Sequence, residues 1–546
     1  MIRKFKPAFL IILCLSLLLT ACGPTTTSTK SSEKTSSDPN IQRITAPSAK
    51  TTLKIVSGSE NKELTPILEA FSKDNNISLE IQYKGSLDIM RELENTSPAF
   101  DAVWPASSLW ISMGDVNHKV KHIKSTSITP VVFGIKKSIA TSLGFVDNPD
   151  VTVNDILLAI NSGKLKFSMT SATQSNSGAS AYLGFLSALA GNPDVLTAED
   201  LQKEDLKVKI RELLAGVDRS SGSSEWLKTL FLQGDFDAMV NYESLIITTN
   251  RELTAKGKEP LYVVYPKDGL AISDSPLGYI SGSDQTKEDA FLKLQNYLTD
   301  KATQSKIQEL GRRTGFEGVS EENQKYFNKD WGIDTKRVIS PVKTPARETI
   351  TLALDLYQTQ FKKPSLNIYA LDYSGSMAGD GNRQLVEAMK QLLIQSEAKK
   401  SLLQASELEE NILIFFDDKI LDVQKSSGNG AKIEELYKKV QAAKPTGGTD
   451  IYGAAIRGLN ELKNFDLNKY SPAIILLTDG KHNGDHNIND FRNAYKDGGY
   501  TIPVFSIMFG QADGGELENL AEYTNGRVFD GRKDLTDAFR KVKGYN

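Results

Sequence analysis

The chain has 546 residues, 39% of them hydrophobic and 24% charged, with a formal charge of −3 and two cysteines, Cys14 and Cys22. At roughly 100–200 residues per domain this is several structural units of ordinary globular composition, neither disordered nor fibrous. The near-balanced charge, without a basic stripe interleaved with aromatics, gives no reason to expect nucleic-acid binding, and cysteines confined to the first 22 residues exclude a disulfide-stapled core.

Taken in chain order, the basic start Arg3-Lys-Phe-Lys6 is followed by the apolar run Ala8 to Leu19 and then by Leu19-Thr-Ala-Cys22. The run falls short of the ~18 residues a bilayer crossing requires, so it reads as a secretory leader. Leu-Thr-Ala-Cys resembles the lipobox of bacterial lipoproteins. That resemblance implies that residues 1–21 are a signal peptide, that Cys22 becomes the lipidated (palmitate-bearing) mature N-terminus, and that the protein sits on the outer face of the cell membrane. Removing Arg3, Lys4 and Lys6 with the leader takes the formal charge to −6. Residues 22–50, rich in Ser, Thr and Lys, read as the lipid anchor and a disordered linker, because they carry too little apolar surface to offset the entropy of ordering.

Residues 51–345 alternate short apolar runs with amphipathic stretches: Leu53 to Val56, a helix over Leu64–Lys73, Ile77 to Gln82, a helix from Ile89, Ala102 to Trp104, and Thr129 to Ile135. This rhythm predicts parallel α/β units. A second cluster runs from Lys166 to Asn250, and Pro260 to Tyr265 returns the chain to the first. Several strand ends carry hydroxyls and glycines that open helices: Ser57 and Ser59, Ser107, then Ser175 and Ser177 in Thr173-Gln-Ser-Asn-Ser-Gly178. Helix N-termini with hydroxyls suit an anionic or strongly polar ligand, although an N-cap alone explains each of them. With Tyr242 they form the candidate ligand set of a cleft. The segments Leu53 to Ser59, Phe100 to Leu109, Thr173 to Tyr182 and Asn241 to Glu243 resemble the bacterial extracellular solute-binding proteins of the periplasmic-binding type 2 fold. The resemblance implies two lobes closing on a small ligand, oxyanions among the family's ligands.

A helix from Arg347 to Phe361 links the halves, giving a linker over 346–364 that Lys362-Lys-Pro364 ends. In 365–546, strands at Leu366–Leu371, Ile412–Phe416, Ala473–Leu477 and Thr501–Ile507 are separated by amphipathic helices, which predicts a doubly wound, Rossmann-type α/β domain. Ligands of such folds bind beyond the carboxyl ends of the strands. There the chain places Asp372-Tyr-Ser374-Gly-Ser376, Thr449 in Pro445-Thr-Gly-Gly-Thr-Asp450, and Asp479 in Leu477-Thr-Asp-Gly480. Asp372, Ser374, Ser376, Thr449 and Asp479 form a hard-oxygen set suited to Mg²⁺, or to Mn²⁺ or Ca²⁺. Three motifs in this order on this fold resemble the von Willebrand factor A domain with a complete metal-ion-dependent adhesion site. Family members offer the metal's open position to an Asp or Glu of a protein partner, which implies adhesion or assembly and not catalysis.

The remaining candidates are weaker. His118 with His122 and His482 with His486 lack the glutamate of a zinc-protease motif and read as solvent-facing loop histidines. Asp417-Asp418 reads as a solvated turn. Gly379-Asp-Gly381 and Gly428-Asn-Gly430 have no phosphate-loop context, and no nucleophile-elbow pattern accompanies the histidines. The sequence thus describes a lipid-anchored extracytoplasmic binding protein, not an enzyme, in which a metal-dependent protein-binding module is coupled to a solute-binding-like one. The alternative is a transport-type receptor for an oxyanion or other small anion, with the second domain as a docking element.

Overall fold

The computed structural model describes residues 40–545 except 96, 98, 283, 316, 317, 338, 339, 511, 513, 533 and 534. The leader, Cys22 and most of the 22–50 linker lie outside the described residues. The chain opens with β1 (Ile41–Ile44), β2 (Thr51–Gly58), β3 (Ile77–Lys84), β4 (Ala102–Trp104) and β5 (Val120–Ser125). It then crosses to β6 (Thr129–Lys136), β7 (Phe167–Thr170), β8 (Val217–Ser221), β9 (Ala238–Tyr242), β10 (Leu261–Val264) and β11 (Ala271–Ser273), and returns with β12 (Pro276–Ile280). The first sheet has the order β1-β3-β2-β4-β12-β5, and the second has β10-β6-β9-β7-β8 with β11 on β6. Two lobes joined by three crossings, after β5, before β12 and after the helix Lys301–Glu309, are an architecture that can hinge.

Two expectations change. Ile41 to Ile44 pair antiparallel with β3, Ile41 opposite Gln82 and Ile44 opposite Leu79. Folded structure therefore begins within the stretch read as disordered linker, because an existing sheet edge satisfies backbone groups that the local composition alone could not. The second sheet is also not built of parallel units throughout. β6 runs antiparallel to β9 and β10, having entered from the other lobe, while β7 is parallel to β8 and β9. The helix Arg347–Leu356, extended by a π-turn Tyr357–Phe361, is more than a connector. Ile350, Ala353 and Leu354 are buried in the core of the second lobe, the Tyr182 hydroxyl donates to Ala353 O at 2.8 Å, and the Tyr182 and Tyr357 rings lie 5.2 Å apart.

The third sheet contains β13 (Ser365–Asp372), β14 (Glu410–Phe416), β15 (Ile420–Ser427), β16 (Ser471–Thr478), β17 (Val504–Met508) and β18 (Arg527–Asp530) in the order β15-β14-β13-β16-β17-β18. All of its pairings are parallel except that of β15 with β14. β13 is buried at every position, as a central strand covered on both faces must be. Its side chains alternate between two cores. Tyr369 and Leu371 meet Leu385, Met389, Leu436 and Phe539, whereas Leu366, Ile368 and Ala370 meet Ile451, Leu459, Phe491 and Leu517. This places Asp372 at the carboxyl end of a fully buried strand paired on both sides.

Candidate metal centre and interlobe cleft

At that strand end the backbone turns sharply and Asp372 is fully buried. Its Oδ1 accepts the Ser374 N–H at 2.8 Å and its Oδ2 accepts the Thr478 hydroxyl at 2.6 Å. The Ser374 and Ser376 hydroxyls are 3.0 Å apart, and Ser376 donates to Asp479 Oδ1 at 2.7 Å. A Cβ on Gly480 would stand 3.0 Å from Thr449 Oγ1 and 3.1 Å from Ser376 Oγ, so the third loop meets the first two at glycine. The structure thereby brings all five predicted oxygen donors together. Burial pushes the Asp372 carboxyl up to about 6, against the Thr478 and Ser374 hydrogen bonds and with a smaller contribution from Asp479. Burial likewise raises Asp479. Two carboxylates held close in a hydroxyl-lined pocket would be stabilised by a cation, and the hard-oxygen chemistry of the set suits a divalent one. Among the described residues no three His, Cys, Asp or Glu side chains converge as a metal site; this set takes three of its five oxygens from Ser and Thr hydroxyls.

Sequence reasoning missed what holds the Thr449 loop. Asp417 is buried, not part of a solvated turn: its Oδ2 accepts the Thr446 hydroxyl at 2.8 Å, its Oδ1 accepts the Lys419 N–H at 3.0 Å, and its carbonyl accepts the Asp450 N–H at 2.8 Å. Only Asp418 is exposed. Asn483 Oδ1 accepts the Thr449 N–H at 2.6 Å. The histidine reading is corrected in part: His482 and His486 both turn towards Asp450, with Nδ1 atoms 3.9 and 2.5 Å from its oxygens, and the His482 ring lies edge-on to Tyr452 at 4.7 Å. Tyr373 is buried too, donating its hydroxyl to Val440 O at 2.7 Å.

The cleft candidates are split. Ser57, Ser59, Ser175, Ser177 and Tyr242 are buried. The Ser177 hydroxyl lies 2.8 Å from that of Ser224 and 2.8 Å from that of Thr170, and Asn176 Nδ2 donates to the Tyr242 hydroxyl at 3.0 Å. Ser107 instead caps its helix, accepting the Leu109 N–H at 3.3 Å. The lobes touch directly, with Trp110 Nε1 donating to Asn176 Oδ1 at 2.6 Å and Lys228 Nζ 3.8 Å from Glu63 Oε1. Sequence reasoning also missed Glu60 and Glu225, whose carboxyls burial raises to about 7 and whose Oε1 and Oε2, respectively, have no hydrogen-bond partner. The available signal was Ser221-Gly-Ser-Ser224 after β8, the same strand-end pattern as the other three.

Residues 53–313 match the family model of bacterial extracellular solute-binding proteins, and residues 368–539 match that of the von Willebrand factor type A domain. Among solved structures, the substrate-binding protein of an ABC transporter from Agrobacterium tumefaciens is 15% identical over 57% of this chain and 92% of its own, with a TM-score of 0.41. A Thermotoga lettingae solute-binding protein bound to α-D-tagatose is 14% identical over 56% of this chain and 94% of its own, TM-score 0.41. A von Willebrand factor type A protein from Catenulispora acidiphila is 15% identical over 34% of this chain and 43% of its own, TM-score 0.29. The comparison with curated proteins gave no match. The chain therefore carries, one after the other, a region that matches the bacterial extracellular solute-binding model and a region that matches the von Willebrand factor type A model.

Proposed function

We propose that this protein is a lipid-anchored extracytoplasmic binding protein whose second domain takes a protein partner through a divalent cation. The observation that carries the reading is the meeting of Asp372, Ser374, Ser376, Thr449 and Asp479 at one strand end, with Ser376 exposed. These five residues would hold Mg²⁺, or Mn²⁺ or Ca²⁺. When bound, such an ion supplies a positive centre that accepts a further carboxylate oxygen from outside. Asp372 and Asp479 set the charge of the site, the hydroxyls of Ser374, Ser376 and Thr449 shape it, and Asp417 and Asn483 hold the Thr449 loop. The carboxylate that completes the ion's coordination comes from an Asp or Glu of a partner protein reaching the exposed rim at Gly375 and Ser376. The anchor at Cys22 would keep this rim outside the cell. No helix among the described residues is long and apolar enough to cross a membrane.

The test is calorimetric titration of the full chain with Mg²⁺, then capture of surface proteins with and without chelator. Binding of Mg²⁺ to Asp372→Ala as tight as to the unaltered chain would sink the reading. A second reading, small-solute reception by the first domain, is favoured by the buried hydroxyl cluster of Ser175, Ser177 and Ser224. Titration with phosphate and sulfate, read by tryptophan fluorescence, tests it; silence across oxyanions and neutral sugars removes it.

A further inference from the structure

The end of the helix Leu535–Lys543 lies against both lobes of the first domain at once. Arg540 is the pivot. Its carbonyl accepts from Gln174 Nε2 at 2.5 Å, in the second lobe, while its guanidinium donates to Asp88 Oδ1 at 2.7 Å, in the first. Gln174 directly precedes Ser175 in the buried hydroxyl loop of the cleft. Asp88 sits in the helix Ser86–Glu94 that follows β3, and the neighbouring Arg91 donates to Ser401 O of the second domain at 3.2 Å. Around this pivot Ser220 donates to Gly544 O at 3.2 Å and Arg219 donates to Asn525 O at 3.1 Å. The Tyr545 ring lies 6.4 Å from that of Trp226, over which Arg527 stacks at 4.8 Å.

The packing is close on the cleft side. A Cβ on Gly544 would stand 2.0 Å from Gln174 Oε1, one on Gly222 would stand 2.7 Å from the Tyr545 ring, and one on Gly85 would stand 2.2 Å from Gln174 O. Gln174 and Tyr545 are accordingly buried. Hinge opening about the three crossings must carry Asp88 away from Gln174. One residue, Arg540, is hydrogen-bonded to both, and a charge-assisted bond to Asp88 tolerates only a few tenths of an ångström of stretch before it is lost.

We infer that the turn Arg540 to Tyr545 is a clasp across the mouth of the interlobe cleft. Solute entry to the first domain requires this turn to leave, and whatever shifts the terminal helix of the second domain shifts the opening of the first. The coupling is reciprocal: a solute that favours separated lobes favours an undocked helix end, by the same free energy. This inference concerns the contact between the domains and stands whether or not the second domain holds a metal.

The experiment compares amide hydrogen exchange, read by mass spectrometry on the full chain, between the unaltered protein and Asp88→Ala/Gln174→Ala. Both substitutions lie outside the second domain, so β13 and β16 serve as internal controls. Segments 58–64 and 171–177, on opposite lobes, should exchange about tenfold faster in the variant, with β13 and β16 unchanged. Unaltered exchange in those two segments, or acceleration confined to 540–545, overturns the clasp. Gly544→Val wedges the same contact from the other domain and must give the same pattern, so a double variant that fails to fold does not shelter the idea; absence of the pattern in Gly544→Val overturns it equally.

Discussion

Replacing Asp372 by Asn separates the electrostatics of the buried carboxylate from its role as an ion ligand, because the two effects have opposite signs. In the metal-free protein the folded state holds this carboxyl with a pKa of about 6 in place of its ordinary 3.8, chiefly because it is buried. Keeping it ionised at pH 7 therefore costs about 3 kcal/mol, at about 1.4 kcal/mol for each pKa unit. Asn carries no charge, still accepts the Ser374 N–H, and can donate to the Thr478 hydroxyl, so in EDTA at pH 7 Asp372→Asn should be more stable than the parent by up to that amount. With Mg²⁺ at a hundredfold excess over its dissociation constant the parent gains about 2.7 kcal/mol and the variant almost nothing. Tryptophan fluorescence is not selective for this, because Trp104, Trp110, Trp226 and Trp331 all precede the second domain, Trp226 meeting it at Arg527 and Tyr545. Native-state hydrogen exchange of β13 and β16 amides, with Mg²⁺ or with EDTA, can. Equal Mg²⁺ protection of variant and parent would refute the five-oxygen site, and a variant less stable than the parent in EDTA would refute the burial reasoning.

Three further outcomes are expected. Asp417→Ala removes the acceptor of Thr446 and frees the Thr449 loop, so it should destabilise the second domain by about 1–3 kcal/mol and weaken Mg²⁺ binding in calorimetry, although Asp417 is no ligand of the set. Gly480→Ala places a methyl 3.0 Å from Thr449 Oγ1 and 3.1 Å from Ser376 Oγ; Mg²⁺ affinity should fall while circular dichroism stays that of the parent. The Glu60 carboxyl has a folded pKa of about 7, above its ordinary 4.5. A raised acid favours folding fully below the unfolded pKa and loses that advantage as pH climbs through the folded one. Stability of the first domain should therefore drop between pH 4.5 and 7, by up to about 3 kcal/mol from Glu60. Glu60→Gln should flatten that drop in tryptophan-monitored denaturation, and an unchanged slope would count against it.

Much of the second domain is legible in the chain itself. Apolar strands such as Leu366 to Leu371 and Ala473 to Leu477 declare a sheet covered on both faces, and ligands beyond strand ends follow from that architecture, so Asp372, Thr449 and Asp479 can be picked from three loops whose outer two lie 107 residues apart. β15 and β18 escaped, since edge strands with half-exposed, polar-rich sequences carry little periodic signal. β1 escaped for a related reason: Ile-Gln-Arg-Ile is a strand only because the edge of β3 receives it.

What the chain determined alone is chemistry at fixed backbone positions: which oxygens end which strands, and which hydroxyls open which helices. Tertiary structure decided everything that depends on burial and on contacts between distant segments. It turned Asp417 from a solvated turn residue into the support of the Thr449 loop, put Glu60 out of water and Glu225 partly so, and seated Arg540 on Asp88 and Gln174, residues 452 and 366 positions away. Local pattern can announce a donor, but the dielectric around it and the partner across from it are set only when the sheets and lobes have packed.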